Sequence, residues 1–149
     1  MRRVIVDTRE QKAWTFEEQG LEIVRAPLDA GDYSLEGLEL RVSIERKSLA
    51  DWIKTVTYER KRFYRELERL RAFEFRCVII EAGIREIVEG HYRSKTNAAS
   101  VLGFVAEVTV GQNVPVYLAG SRAEAQILAG YMLRMADKKL QRVPTDSAV

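Results

Sequence analysis

The sequence is poor in the residue types that cross-link secreted proteins or carry a chain through a membrane. Its 149 residues include one cysteine, Cys77. A lone cysteine closes no internal disulfide, so it indicates a small buried hydrophobe and favours a reducing compartment, cytoplasmic or nucleoid. No stretch is apolar for long enough to span a bilayer, and the short N-terminal apolar run ends at Asp7, unlike a signal peptide. The sequence therefore predicts a protein that acts without a membrane.

The chain as a whole has little net charge, but positive charge is concentrated in one segment. The net charge is only +2, yet segment 46–76 contains ten lysines or arginines and five acids. A basic segment on a nearly neutral protein suits a phosphate-rich partner. The alternative, which this feature alone favours, is a solvated helix face with paired charges.

The chain does contain enough apolar residues for one core. Hydrophobic residues make up 46% of the sequence and charged residues 31%, without internal repeats or low-complexity segments. This length and composition predict a single domain. We assign it to residues 1–142, followed by a flexible C-terminal tail at 143–149.

Hydrophobic periodicity predicts strands in the first third of the chain and helices after it. The four N-terminal strands, which we expect to form an antiparallel group, are 2–7, 21–28, 32–35 and 38–46. Ser48 and Asp51 have the spacing of a capping box, and the β-branched run 55–57 predicts a break between two helices. The later elements are a buried strand at 75–81, a helix at 94–111, a strand at 114–118 and a helix from Ser121 to about Leu140.

The order of these elements predicts an α/β fold with a mixed central β-sheet flanked by helices. The strands at 75–81 and 114–118 each follow a helix, so each should run parallel to a neighbour through a right-handed crossover. Trp14 and Trp52 are expected to cover the edges of the core. The lone histidine, His91, lies in a predicted linker and is expected to be inert.

Three charged residues in the predicted hairpin suggest chemistry. Glu45 and Lys47 are two apart at a strand end, so their side chains share a face, and Asp32 begins the preceding strand. If the strands pair, two carboxylates approach each other beside a lysine, which suits a hard cation such as Mg²⁺ or Mn²⁺. The lysine could then position or deprotonate a water. The alternatives are a turn residue at 32 and a solvated strand face at 45 and 47, since this pattern occurs by chance in many chains.

A longer string of motifs makes the pattern more specific. Three blocks, in chain order, are Val6-Asp7-Thr8-Arg9-Glu10, Gly31-Asp32-Tyr33 and Ile44-Glu45-Arg46-Lys47-Ser48-Leu49-Ala50-Asp51. Two more follow as Arg62-Phe63-Tyr64 and Val78-Ile79-Ile80-Glu81. Over residues 2–81 the chain closely resembles the nuclease domain of the XPF-type structure-specific endonucleases, and over 94–138 it matches in element order only. The resemblance implies a restriction-endonuclease-like core.

The resemblance also implies roles for individual residues. Asp32 and Glu45 correspond to the metal-binding carboxylates, the Arg46 carbonyl to a further metal ligand, and Lys47 to the catalytic lysine. The residues that correspond to supporting active-site positions are Asp7, Arg9, Glu10, Arg46, Asp51 and Arg62. For Asp51, sequence logic alone favours the helix cap.

Two departures from the family pattern bear on substrate preference. Glu66 stands where many members have glutamine. We also expect no tandem helix-hairpin-helix module, which often grips the duplex in the family, within these 149 residues. The resemblance implies a Mg²⁺-dependent DNA endonuclease that acts on branched, flap or fork structures. The alternatives are a non-catalytic DNA-binding scaffold subunit on the same fold, and a sequence-specific restriction-like enzyme.

Two surfaces are predicted to bind partners. Helical spacing puts a basic group against the DNA, made of Lys61, Arg62, Arg65 and Arg69. The family resemblance and the surplus of apolar positions on the last two helices predict a homodimer formed through the nuclease domain. The predicted face consists of Leu102, Phe104, Val105, Leu128, Tyr131, Met132 and Met135, although all of these could instead fill the monomer core.

Overall fold

The computed structural model describes residues 1–90, 92 and 94–141 of the chain. His91 and the predicted tail at 143–149 lie outside the described residues. The strands are β1 Val4–Asp7, β2 Ile23–Ala26, β3 Tyr33–Leu35, β4 Val42–Lys47, β5 Phe75–Ile80 and β6 Val116–Leu118. The helices are α1 Leu49–Tyr58, α2 Arg60–Leu70, α3 Ile84–Val88, α4 Ala98–Ala106 and α5 Arg122–Gln141, with a 3₁₀ turn at Glu17–Gln19 and a π-helical turn at Glu107–Gly111.

The six strands of the described residues form one mixed sheet in the order β2-β1-β3-β4-β5-β6. β3 is antiparallel to both β1 and β4, whereas β4, β5 and β6 run parallel to one another. Helices cover the sheet, so the predicted α/β class is confirmed. Strands β4, β5 and β6 are joined through α-helices, as expected for a chain that must cross over the sheet before it pairs again in parallel.

The expected antiparallel group at the N-terminus is wrong for β2. This strand pairs with β1 in parallel, with Val4 opposite Ile23 and Asp7 opposite Ala26. The connection 8–22 is long enough to return the chain to the starting edge of the sheet, which a parallel pair requires. Alternation of apolar residues indicates a strand but carries no information on its direction.

Several helix boundaries differ from the predicted ones. The break between α1 and α2 falls at Glu59, after the β-branched run 55–57. Thr55 is buried, and the hydroxyls of Thr55 and Thr57 donate to the carbonyls of Asp51 and Ile53, so packing and these bonds extend the helix.

The later part of the chain is also divided differently. α4 begins at Ala98, where Asn97 caps it by accepting a bond from the Ser100 amide, rather than at 94. The segment predicted as its last turn forms the π-helical turn, and β6 is two residues shorter than predicted. The short helix α3 has too few residues for its periodicity to be visible in the sequence.

The sheet separates two hydrophobic cores. One lies beneath α5 and includes Trp14 and Leu133, and the other lies beneath α1, α2 and α4 and includes Trp52 and Phe104. Both tryptophans are almost fully buried, so they lie inside the cores rather than at the edges. Phe104 was predicted in the dimer face. It is 1% exposed and packs against Trp52 and Phe63, so its assignment to that face is wrong.

None of the described helices is both long enough and apolar enough to span a membrane.

Candidate active site

The end of the β3–β4 hairpin brings the two predicted metal-binding carboxylates to one cavity. Asp32 directly precedes β3, where its amide donates to the Ile44 carbonyl at 2.8 Å and its carbonyl accepts from the Asp7 amide at 2.9 Å. These bonds fix Asp32 between β1 and β4. Glu45 is 9% exposed and faces the same cavity of about 180 Å³.

The two carboxylates are costly to keep charged in this cavity. Burial, together with the nearby charges of Glu45 and Glu10, raises the pKa of Asp32 well above its usual value. Burial also raises the pKa of Glu45; Lys47 opposes this rise and Glu66 adds to it. Two carboxylates with raised pKa values in one cleft are typical of a site that receives a cation.

Lys47 is the last residue of β4, on the same face as Glu45. Its Nζ lies 3.4 Å from a Glu45 carboxylate oxygen and 5.0 Å from the centre of the Phe63 ring. Burial tends to lower the pKa of Lys47, but the carboxylates of Glu45, Glu66 and Asp32 outweigh it and raise the pKa. The lysine is therefore a cation, held against Glu45, which lines the carboxylate cavity.

The backbone of Arg46 faces Asp32. Its amide donates to a carboxylate oxygen of Asp32 at 2.8 Å. Since the amide and carbonyl of a strand residue point to the same edge, the Arg46 carbonyl also projects past the end of β3 toward Asp32. This backbone oxygen is therefore a candidate third ligand beside the two carboxylates.

The Arg46 side chain projects from the opposite face of the sheet and forms a buried ion cluster. Its guanidinium donates to both carboxylate oxygens of Glu81, at 2.9 and 3.0 Å, and approaches Glu10 at 3.4 Å. Glu10 also accepts a bond from the Tyr33 hydroxyl at 2.9 Å. The Arg46 side chain therefore lies away from the face that carries Glu45, whereas Glu10 also lines the carboxylate cavity and helps to raise the pKa of Asp32.

Asp7 and Arg9 shape one wall of the cavity. Asp7 is 2% exposed, and its carboxylate accepts from the Leu28 amide at 2.9 Å and from the Arg9 guanidinium at 2.8 Å. Burial tends to raise the pKa of Asp7, but these bonds outweigh it and lower the pKa. Arg9 remains largely exposed at the rim, where it also bonds the Leu28 carbonyl.

Two other predicted residues lie outside the carboxylate cavity. Asp51 completes a capping box with Ser48 at the start of α1, so the cap that sequence logic favoured is present. Arg62 lies on the exposed surface of α2, between Glu59 at 3.4 Å and Glu66 at 3.9 Å.

The predicted basic group divides between two places on α2. Lys61, Arg62 and Arg65 line an open groove near the start of the helix, and Arg69 lines the carboxylate cavity. All four side chains are exposed. The helix therefore carries a row of cations from the surface groove to the cavity.

Sequence reasoning missed two acids as site residues. Glu66 lines the carboxylate cavity and raises the pKa values of Glu45 and Lys47. The sequence feature that could have identified Glu66 is helical spacing, because it lies one turn before Leu70, which also lines the cavity. Glu81 accepts bonds from Trp14, Arg46 and Arg122. The sequence feature that could have identified it is an acid at the end of a buried apolar strand.

Among the described residues, no three His, Cys, Asp or Glu side chains converge as ready metal ligands. The Asp32 and Glu45 pair with the Arg46 carbonyl is a smaller set. It fits Mg²⁺, which usually binds one or two carboxylates and retains several waters.

Comparisons with known proteins agree with this geometry. The model of the ERCC4 domain matches residues 6–130. XPF from Aeropyrum pernix has a similar structure, with a TM-score of 0.73 and 21% identity, over 95% of this chain and 68% of that chain. A structure of XPF from Aeropyrum pernix in complex with DNA matches at the same TM-score and identity, over 93% and 66%. No curated protein sequence gives a match. Since the ERCC4 match spans most of the chain and includes every motif block, this protein belongs to the ERCC4 domain family.

Proposed function

We propose that this protein is a divalent-metal-dependent endonuclease that hydrolyses phosphodiester bonds in DNA. One observation carries the proposal: a single hairpin end directs Asp32 and Glu45 into one cavity, with Lys47 3.4 Å from Glu45. Family membership supports DNA hydrolysis as the reaction class, because the resemblance is to a family of structure-specific nucleases. The full set of signature acids and the lysine argues against a non-catalytic scaffold.

The residues of the cavity fit Mg²⁺ or Mn²⁺. The ligands would be Asp32, Glu45 and the Arg46 carbonyl, and the raised pKa values of the two carboxylates indicate unneutralised charge. The bound cation would polarise the phosphate and acidify a water.

The chain's own cations would act on the phosphate during hydrolysis. A water attacks phosphorus, the bond to the leaving oxygen breaks, and negative charge grows on the phosphate oxygens. Lys47 is a protonated donor beside the carboxylates, while Arg9 and Arg69 line the same cavity. These three cations would orient the phosphodiester and offset its charge.

Branched, flap or fork DNA is the substrate class that we propose. A structure of the similar Aeropyrum pernix protein is a complex with DNA. The exposed cations of α2 lead from an open groove to the cavity, which gives a strand of DNA a basic path to the carboxylates. The preference for branched structures rests on the family.

We further propose that two chains pair through the exposed face of α5 in the nuclease domain. Tyr131 and Met135 are 67% and 61% exposed on α5, with the half-buried Leu128 and Met132 beside them on the same stripe. Such a stripe on an outer helix face is typical of a surface that another protein covers. Light scattering at micromolar concentration tests the pairing. A mass near the 17.1 kDa of one chain, with full activity, would contradict it.

The function is tested by incubating the protein with flap, fork, duplex and single-stranded DNA in Mg²⁺ or in EDTA. We expect cleavage of branched DNA in Mg²⁺, none in EDTA, and none by Glu45→Gln. Both proteins should still bind the DNA. Binding without cleavage by the wild-type protein in Mg²⁺ and in Mn²⁺ would contradict the proposal and favour the scaffold.

A further inference from the structure

A large groove on α1 has no part in the chemistry described so far. It lies between the outer face of α1 and segment 94–96, with Tyr92 beside it, and has a volume of about 730 Å³. The polar and aromatic residues on which the inference depends are Lys54, Thr57, Tyr58, Tyr92, Lys95 and Thr96. A hydrogen bond of 2.6 Å between the Thr57 and Thr96 hydroxyls joins its two walls. The groove is therefore a built feature rather than a gap between unconnected segments.

The composition of the groove differs from that of the carboxylate cavity. Its described lining has two tyrosines and two lysines but no acid, whereas the carboxylate cavity is lined by several acids. Tyr58 is 83% exposed, so burial in the core does not explain an aromatic residue there. Aromatic rings with nearby lysines are what proteins use to stack bases and hold the phosphates of single strands.

Tyr58 lies at the junction of two grooves. It and Thr57 also line the second groove, of about 620 Å³, whose cations are Arg60, Lys61, Arg62 and Arg65. The exposed ring thus separates a strongly basic surface, suited to a duplex backbone, from a mainly apolar one. The groove itself begins at Leu49, two residues beyond Lys47. From there the ten residues of α1 extend over about 15 Å, the length of about four stacked nucleotides.

We propose that this groove binds the unpaired strand of the DNA substrate, with bases against Tyr58 and Tyr92 and phosphates near Lys54 and Lys95. The inference rests on the proposed function. It adds a specific surface by which the protein would distinguish a single-stranded arm from a duplex. The absence of acids from the described lining and the adjoining basic groove favour a nucleic acid over a protein as the occupant.

Binding of fluorescein-labelled oligo(dT) in EDTA tests the groove without any cleavage. We expect Tyr58→Leu to weaken oligo(dT) binding roughly tenfold, and Tyr58→Phe, which keeps the ring, to bind like the wild type. Because the side chain is 83% exposed, both variants should fold normally. Lys95→Ala should lower the slope of log affinity against log salt by about 0.7. Affinity for a blunt duplex should change little in any of the three.

The outcomes separate the groove from the nuclease proposal. If the wild-type protein cleaves branched DNA but Tyr58→Leu binds oligo(dT) normally, the groove proposal alone is wrong. If the protein never cleaves DNA but Tyr58→Leu selectively loses oligo(dT) binding, the groove proposal holds and the nuclease proposal fails. Conversion of a dimer to a monomer by Tyr58→Leu would overturn the groove proposal, because a second copy of the chain would then be the occupant.

Discussion

At the end of β4, charged side chains project from both faces of the sheet. Their charges are neutralised to different extents on the two faces. On one face, Arg46 donates to both oxygens of Glu81, at 2.9 and 3.0 Å, and lies near Glu10. On the other face, Glu45 and Asp32 line one cavity with Glu66, and Lys47, 3.4 Å from Glu45, offsets only part of their charge. Consecutive residues of one strand thus supply a neutralised cluster and an unneutralised one. The first stabilises the fold, and the second is the candidate reaction centre.

The largest expected effect comes from removing charge on the unneutralised face. Glu45→Gln keeps the size of the side chain but removes one of two adjacent carboxylates, so cleavage should fall by roughly a thousandfold or more. The same change relieves a buried repulsion, so the metal-free protein should melt at a higher temperature than the wild type. Cleavage assays and thermal melts in EDTA check the two effects. Near wild-type cleavage by Glu45→Gln would show that this carboxylate does not take part in the reaction.

The matched change on the other face should have the opposite effect on stability. Glu81→Gln leaves the buried Arg46 without its main counter-charge, and breaking a buried ion pair in this way costs about 3 kcal/mol. We expect urea unfolding to report this loss. The cleavage rate should fall far less than in Glu45→Gln, since Glu81 does not line the carboxylate cavity. Unchanged stability would mean that the cluster is not a structural element.

Much of this arrangement could be predicted from the sequence, because it depends on local patterns. Strand alternation predicts that Glu45 and Lys47 share a face, and the turn before β3 predicts that Asp32 approaches them. The capping box at Ser48 and Asp51 is likewise a local pattern, and the structure has it. The division of Arg46 between a backbone that faces Asp32 and a side chain that faces Glu81 was not predicted.

The rest could not be predicted, since it depends on residues distant in sequence. The parallel pairing of β2 depends on where connection 8–22 crosses the sheet. The burial of Phe104 depends on Trp52 and Phe63, which lie on other helices. The Tyr58 groove needs segment 94–96 to pack against α1, and no periodicity in either segment indicates that contact.

A smaller effect is expected from the exposed cations of α2, which lie on the protein surface near the carboxylate cavity. Replacing Arg62, Arg65 and Arg69 together by alanine should reduce the salt dependence of duplex binding, by about one unit of slope for each phosphate that the variant no longer neutralises. Arg62→Ala alone should lower the cleavage rate more than the affinity, as its family position implies. Fluorescence anisotropy from about 50 to 200 mM salt measures the slope. An unchanged slope for the triple variant would show that the row does not bind DNA.

The smallest effect concerns Cys77, inside the core beneath the Arg46 face. Burial raises the pKa of its thiol to about 12, so the folded protein should not react with Ellman's reagent at pH 8. A raised pKa in the folded state stabilises the fold below the ordinary thiol pKa of 9.0, and this contribution is lost as pH rises toward 12. Reaction in urea provides the control. Rapid labelling of the native protein would contradict the burial of this side chain.

If the unneutralised face of β4 binds a divalent cation, adding Mn²⁺ should raise the free energy of unfolding. The wild type and Glu81→Gln should both gain stability, by about 2.7 kcal/mol when free Mn²⁺ is a hundred times the dissociation constant. Glu45→Gln should gain little at the same Mn²⁺ concentration. An equal gain in all three proteins would contradict binding at this face, because the cation would then bind somewhere other than beside Glu45.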